Sequence, residues 1–417
     1  MTTVLVLILV AAAFGLGFWL AWRHARGLLT EERTRLAEVT PPRAMPAPRP
    51  TSFVRYASGA ARGTRGPTYD DHGVPWRDAM RDIGKRFEDA HVDAVVFVHG
   101  TFTGDDPLSA STLVERAFGA TLARAFKKTT RTTALRVLGD LGIFGPEYVN
   151  LFERAIGGAI PCTTFVWSSE NHHVGRASGG ISLVRTLAMH CALVDHRRPR
   201  LLVVGHSHAA QLFAIVTQLV ARASSAEAFA DVARVRGLDV GALDIELDLL
   251  ARADIDFVTL GAPSRYAWAE VPGFRALHVL NTRLSGGVVA GDLIAKIGAA
   301  ASDFPPLDGE ERKVNATLGT HLASRASRPY GEVVLVDYDA AGPAQLITTG
   351  FGHGMYTRFD AMLFHAELIA ARLYGARVTT ERVSILPQTT QTEGAGLAQD
   401  TTRSERPRKT SLWLPVR

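Results

Sequence analysis

The chain has 417 residues, of which 47% are hydrophobic and 21% charged, and its formal net charge at pH 7 is +5. The charge is uneven, because the flanks are basic while residues 87–375 carry 26 basic and 30 acidic side chains. A mildly acidic body argues against a nucleic-acid-binding surface, so no nucleic-acid partner is expected. Two cysteines, Cys162 and Cys191, are too few for a disulfide framework or a cysteine metal site, and they fit a reducing compartment.

The N-terminus begins with a long apolar segment. Residues 4–22 carry no charge and include Trp19 and Trp22 at the end of the run, as in the interfacial belt of a membrane helix. Four arginines follow within residues 23–35 and none precedes the segment. We therefore predict a single transmembrane anchor over residues 1–22, with the body in the cytoplasm, at the inner membrane in a two-membrane bacterium. The alternative is a cleaved signal peptide.

Biased composition marks both flanks of the body. Residues 23–86 are basic and, from 38 to 68, rich in Pro, Ala, Arg, Gly and Ser, which predicts a linker. Its arginines either contact anionic lipid or belong to a solvated spacer. Residues 381–417 read as a disordered tail. The folded domain is therefore expected over residues 87–380.

Within that domain, short apolar runs alternate with helical patterns. Strands are predicted at 93–99, 162–167, 201–204, 255–260, 276–280 and 332–336. Helices are predicted around 107–127, 178–195, 208–223, 242–252 and 356–374. This alternation predicts an α/β fold with a mostly parallel sheet, helices on both faces, and functional residues at the carboxyl ends of the strands. Two inserts, 128–160 and 224–254, fit either a lid or acyl pocket or extra helical packing.

The most informative motif is Gly-His-Ser-His-Ala at 205–209, between an apolar strand and an apolar helix. This is the pattern of a nucleophile elbow, in which a serine occupies a sharp strand-to-helix turn with small residues two positions away on either side. Here those positions are Gly205 and Ala209, the second in place of the usual glycine. The motif predicts Ser207 as a nucleophile.

Partners for Ser207 follow in a fixed order. One class of serine hydrolases with a parallel sheet has the chain order serine, acid, histidine. Asp292 follows the predicted strand 276–280, and His353, between two glycines, follows the strand 332–336. We predict Asp292 as the acid and His353 as the base. Competing acids are Asp303, Asp337 and Asp339.

Backbone amides should bind the oxyanion of the reaction. The turn after the first strand, Val-His-Gly-Thr-Phe at 98–102, offers Thr101 or Phe102, and His208 follows the serine. His99 is expected to be a structural residue that hydrogen-bonds backbone. His172 and His173 have no further ligand at metal spacing, so neither a metal ion nor a cofactor is expected.

Four blocks together resemble bacterial lipase-like α/β-hydrolases. They are Val-His-Gly-Thr-Phe at 98–102, Phe-Val-Trp-Ser-Ser-Glu-Asn at 165–171 with Arg176, Gly-His-Ser-His at 205–208, and Val-Thr-Leu-Gly-Ala-Pro at 258–263. The resemblance spans about residues 90–375 and implies the α/β-hydrolase fold with Ser207, His353 and Asp292 as the triad. Ala209, and Ala210-Gln211 in place of Gly-Asn, depart from the family pattern.

The sequence thus predicts a membrane-anchored serine hydrolase that cleaves carboxylic esters through an acyl-enzyme. The anchor and the insert favour a lipid or another hydrophobic ester as substrate. A thioesterase or amidase on the same triad is an alternative. A further alternative is a catalytically silent α/β-hydrolase fold that acts as an interaction module at the membrane.

Overall fold

A computed structural model describes most of the predicted body. The described residues are 52–56, 68–100, 144–194, 197–223, 226–239, 243–262, 266–285, 288–291, 306, 308–323, 331–338, 353–375 and 383–385. The predicted anchor, the predicted helix at 107–127 and residues 128–143 of the first insert lie outside them. No helix in the described ranges is long and apolar enough to cross a membrane.

Nine strands of the described chain form the sheet. They are β1 (Ser52–Tyr56), β2 (Ala94–Val98), β3 (Cys162–Phe165), β4 (Arg200–His206), β5 (Asp254–Leu260), β6 (Phe274–Ser285), β7 (Val288–Gly291), β8 (Glu332–Tyr338) and β9 (Val383–Ile385). Their order is β3-β2-β4-β5-β6-β8-β1-β9, and β7 pairs with β6. The strands from β3 to β1 are all parallel, while β9 and β7 pair antiparallel with their neighbours.

Helices cover both faces of this sheet. They are α1 (Val74–Asp89), α2 (Pro146–Ala155), α3 (His173–Ala192), α4 (Ala209–Val220), α5 (Ala226–Arg236), α6 (Leu243–Ala251), α7 (Gly309–Ala323) and α8 (Met362–Tyr374). Helices α1, α2 and α8 share one apolar cluster, and α3 to α7 share the other. Successive residues of β2, such as Val96 and Phe97, enter opposite clusters, because successive side chains of a strand point to opposite faces of the sheet. The predicted α/β architecture with a mostly parallel, doubly covered sheet is therefore confirmed.

The domain extends further in both directions than the predicted range of 87–380. Helix α1 lies within the predicted linker but buries Met80, Ile83 and Phe87 in the core. Strand β1 pairs with β8, and β9, from the predicted tail, pairs with β1. These boundaries were wrong because averaging over a charged, Pro-rich or polar stretch hides short apolar patterns within it.

The described part of the first insert belongs to the core. Helix α2 surrounds the Phe97 ring with aromatic side chains, and the ring centroids of Tyr148 and Phe152 lie 5.8 and 5.2 Å from that of Phe97. The sequence left two interpretations of this insert, a lid or acyl pocket and extra helical packing. Residues 144–160 fit the second interpretation. The second insert contributes α5 and α6, which pack on the opposite face.

Candidate functional site

Ser207 lies in a sharp turn between β4 and α4. Its backbone is left-handed, with φ 56°, a conformation that residues other than glycine rarely adopt. The turn is held because the Ser207 amide donates to the carbonyl oxygen of Leu260 at the end of β5, over 2.9 Å. Every residue of the following helix is buried. This rigid support holds the serine, which remains 8% exposed, in its strained conformation.

The turn is so tight that it requires small residues two positions before and after Ser207. A Cβ atom built on Gly205 would lie 2.8 Å from the Cβ of Ala209 and 2.4 Å from the ring of Phe213. Both distances are shorter than carbon atoms tolerate, so the turn can close only because residue 205 has no side chain. Alanine is accommodated at 209, where the sequence pattern led us to expect glycine.

The turn after β2 approaches Ser207 equally closely. A Cβ atom on Gly100 would lie 2.7 Å from the Ser207 Cβ and 3.0 Å from the His206 carbonyl oxygen. Backbone from the Val-His-Gly-Thr-Phe motif at 98–102 therefore lies directly against the serine. Of the predicted oxyanion donors, Thr101 and Phe102 lie outside the described residues, and His208 forms the N-cap of α4 and is buried.

The predicted base lies on the same side of the sheet. His353 begins a short 3-10 helix, His353–Thr357, and is half-buried. The His206 Nε2 donates to the His353 carbonyl oxygen over 3.0 Å, and the two imidazole rings are 4.6 Å apart. His206, the residue before the serine, thus holds the backbone of the predicted base.

Tyr356 fixes the other side of this short helix. Its hydroxyl accepts a hydrogen bond from the Asn281 amide in β6 over 2.6 Å. Its ring packs against Gly261, which follows β5 at φ 64° and where a Cβ would lie 2.2 Å from the ring. The segment that carries His353 is therefore bound to the carboxyl ends of β4, β5 and β6, the edge at which Ser207 lies.

The acid is the part of the predicted triad that the described residues do not contain. Asp292 lies outside them, as do its competitors Asp303 and Asp339. Asp337 is the next-to-last residue of β8 and is 8% exposed. The structure thus places Gly100 against Ser207, and His353 against His206, the residue that precedes the serine.

The block at 165–171 contacts the turn after β2. In the loop after β3, the backbone and indole nitrogens of Trp167 donate to His99, and the Ser169 hydroxyl donates to the Gly100 carbonyl. His99 therefore bonds to backbone, as expected. Sequence reasoning singled out the block but assigned it no role, because its contacts are with residues about 70 positions away.

The same block reaches the helix after Ser207. Arg176 is fully buried, and its guanidinium donates to the Asn171 side chain and to the Tyr266 hydroxyl. The Tyr266 amide in turn donates to the Gln211 side chain over 3.0 Å. Gln211, one of the departures from the family pattern, is 2% exposed and braces the elbow helix from within the protein.

An ionic cluster lies beside this loop. Arg236 of α5 is 3.1 Å from the carboxylate of Glu170 and 3.0 Å from that of Glu311 on α7. Burial raises the pKa of Glu311, and Arg236 partly offsets that shift. The cluster ties both helices to the loop after β3.

His172 and His173 have structural partners. The His172 ring accepts the Gly175 amide at the start of α3, and the His173 Nδ1 is 2.6 Å from the Tyr266 hydroxyl. Over the ranges that the structure covers, no group of three or more His, Cys, Asp or Glu side chains is arranged to hold a metal ion.

Comparisons with protein-family models, with curated proteins and with solved structures found no match for this chain.

Proposed function

We propose that the protein is a serine hydrolase of the α/β-hydrolase fold that cleaves carboxylic esters. The observation that carries the proposal is the left-handed backbone of Ser207 at a strand-to-helix turn, with the Gly100 turn against it. Strain of this kind persists only where the surrounding structure enforces it, and it is typical of functional residues. The turn places the serine at the carboxyl edge of the sheet, where a nucleophile elbow carries its hydroxyl.

The arrangement of the strands supports this fold assignment. The turn that contains Gly100 follows β2, Ser207 follows the adjacent strand β4, and His353 follows β8. An oxyanion turn from an early strand, then the nucleophile, then the histidine is the chain order of α/β-hydrolases.

In the proposed reaction, His353 accepts the hydroxyl proton as the Ser207 oxygen attacks the ester carbonyl carbon. Backbone amides, for which we propose His208 and Thr101 or Phe102, stabilise the oxyanion. The intermediate expels the alcohol, which takes the proton from His353 and leaves an acyl-enzyme. Water, deprotonated by His353, then releases the carboxylic acid and restores the serine. Asp292 is proposed to orient His353.

Turnover of an ester panel tests the reaction class. The full-length protein in detergent is assayed on p-nitrophenyl esters of increasing acyl length, with the matching thioesters and amides alongside. We expect ester cleavage in the wild type and loss of turnover in Ser207→Ala and His353→Gln. Preference for thioesters or amides would change the substrate class, and no turnover on any substrate would refute the proposal.

Two further assignments have direct tests. Comparing Asp292→Asn with Asp337→Asn tests the acid, and a large loss of turnover in the second variant alone would exclude Asp292. We also propose that residues 4–22 anchor the protein in the membrane and leave the body in the cytoplasm, with a lipid or other hydrophobic ester as substrate. An alkaline phosphatase fused to the C-terminus should then be inactive, and activity would contradict this topology.

A further inference from the structure

The loop after β3 supplies a side chain that the proposed reaction does not use. Ser169 is fully buried and has a left-handed backbone, with φ 62°. Its hydroxyl oxygen lies 2.7 Å from the Gly100 carbonyl oxygen and 3.1 Å from the His99 Nδ1. Glycine would adopt this backbone with less strain, so the serine side chain is retained against a local preference.

The donors and acceptors around Ser169 can be assigned from the fixed donor character of the Trp167 amide. The Trp167 amide faces the His99 Nε2 at 3.4 Å, so Nε2 is the accepting nitrogen and the ring proton belongs on Nδ1. The Nδ1 proton is then shared between the Ser169 oxygen at 3.1 Å and the Gly100 carbonyl oxygen at 3.0 Å. The Ser169 hydroxyl donates to the same Gly100 carbonyl over the shorter distance of 2.7 Å. The Trp167 indole donates separately to the His99 carbonyl over 2.9 Å. Both carbonyls of the turn against Ser207 are therefore held from the loop after β3.

We propose that Ser169 is a positioning residue for the oxyanion hole. In a trans peptide the carbonyl and the following amide point in opposite directions. A hydroxyl that holds the Gly100 carbonyl away from Ser207 thereby directs the next amide of the chain towards the reacting carbonyl. Without that hydroxyl, the Gly100 carbonyl loses its shorter hydrogen bond and keeps the 3.0 Å contact with the His99 Nδ1, so the peptide is less firmly held against turning its carbonyl oxygen into the hole.

This inference rests on the proposed function, and it predicts how much kcat falls when the Ser169 hydroxyl is removed. Removing one oxyanion donor from a serine hydrolase lowers kcat by about 100- to 1,000-fold. Releasing a donor from its orientation, while leaving it in the chain, should have a smaller effect. We expect the loss of the Ser169 hydroxyl to lower kcat by about 10- to 100-fold with KM changed by less than about threefold, because the effect falls on the transition state.

The test compares Ser169→Ala and Ser169→Gly with Ser182→Ala in the full-length protein. Ser169→Gly removes the hydroxyl but relieves the left-handed backbone, so its activity loss cannot come from backbone strain. Ser182 donates to the Ser178 carbonyl within α3, so Ser182→Ala deletes a comparable hydroxyl remote from the turn. Melting temperatures identify any variant that fails to fold.

A pair of inhibitors separates positioning from general structural damage. A trifluoromethyl ketone adds to the serine and forms an oxyanion, whereas the matching methyl ketone stays largely unreacted. We expect both Ser169 variants to bind the trifluoromethyl ketone about 10- to 100-fold more weakly, in parallel with kcat/KM, and to bind the methyl ketone as the wild type does.

Other results would overturn the inference. An active wild type with Ser169 variants of unchanged kcat would refute positioning by Ser169 and leave the proposed function intact. Equal loss of affinity for both ketones would show a general structural role. A wild type without ester turnover would refute the proposed function itself, and this inference with it.

Discussion

Adding one methyl group at Gly100 tests how closely the first turn approaches the nucleophile. In Gly100→Ala the new Cβ would lie 2.7 Å from the Ser207 Cβ and 3.0 Å from the His206 carbonyl oxygen. Carbon atoms pack at about 3.5–4.0 Å, so the turn and the serine must separate by about 0.8 Å or more. A displacement of about 1 Å at a reacting group lowers turnover by about 100-fold, or about 2.7 kcal/mol in activation free energy.

The assay is kcat/KM on a p-nitrophenyl ester, with the melting temperature measured in parallel. Overpacking of this kind lowers the free energy of unfolding by about 1–3 kcal/mol, so the protein should still fold. Gly309→Ala is the matched control, because its new Cβ meets no atom within 4 Å and the position lies in a helix. Wild-type turnover in folded Gly100→Ala would refute the close approach and, with it, the assignment of this turn to the oxyanion hole.

Three further predictions concern strain, thiol reactivity and pH. Ser207→Gly should be about 1 kcal/mol more stable to unfolding than Ser207→Ala, because φ 56° disfavours any residue with a Cβ, and we expect both variants to be inactive. Cys162 and Cys191 should react with a thiol reagent only on unfolding, because burial raises both thiol pKa values, that of Cys191 to about 12. Burial lowers the pKa of His365 in the folded protein to about 3. Between pH 6.5 and pH 3 this histidine therefore binds a proton only in the unfolded protein, so the free energy of unfolding decreases as the pH falls through that range. His365→Gln should therefore reduce the acid-induced loss of stability, by up to about 1.4 kcal/mol per pH unit.

Each of these has a contradicting outcome. Equal melting temperatures for the two Ser207 variants would show that the left-handed backbone is not strained. Fast labelling of either cysteine in the folded protein would contradict its burial. A pH dependence of unfolding that is the same in His365→Gln and in the wild type would show that this histidine does not titrate on unfolding.

Patterns that repeat at the period of a strand or helix made most of the body predictable. The apolar run before Gly205 is fully buried in a central parallel strand, where no polar alternation is needed, and the structure extends it only to Arg200–His206. The strained turn at Ser207 was predictable, because such a turn restricts the residues around it to small ones. The position of His353 beside His206 is consistent with the chain order and with the parallel sheet, whose carboxyl ends meet at one edge.

Other elements depend on contacts distant in the sequence. Helix α3 begins five residues before its predicted start, and it contains Gly179 and Gly180, which weaken any local helix signal. A Cβ on Gly180 would lie 2.5 Å from the side chain of Ile215 on α4, so the glycine serves close helix packing. Ser169 gave no sequence signal, because nothing in Trp-Ser-Ser-Glu tells which serine contacts Gly100. In the structure the Ser169 hydroxyl does so, while the Ser168 hydroxyl donates to Glu170.

Labelling with a fluorophosphonate tests the central claim most directly. The reagent reacts with a serine hydroxyl only where a base and an oxyanion hole activate it. We expect the full-length wild type to take up one label, mapped by peptide mass spectrometry to Ser207, and Ser207→Ala to take up none. A wild type without label, or equal labelling of Ser207→Ala, would contradict the account.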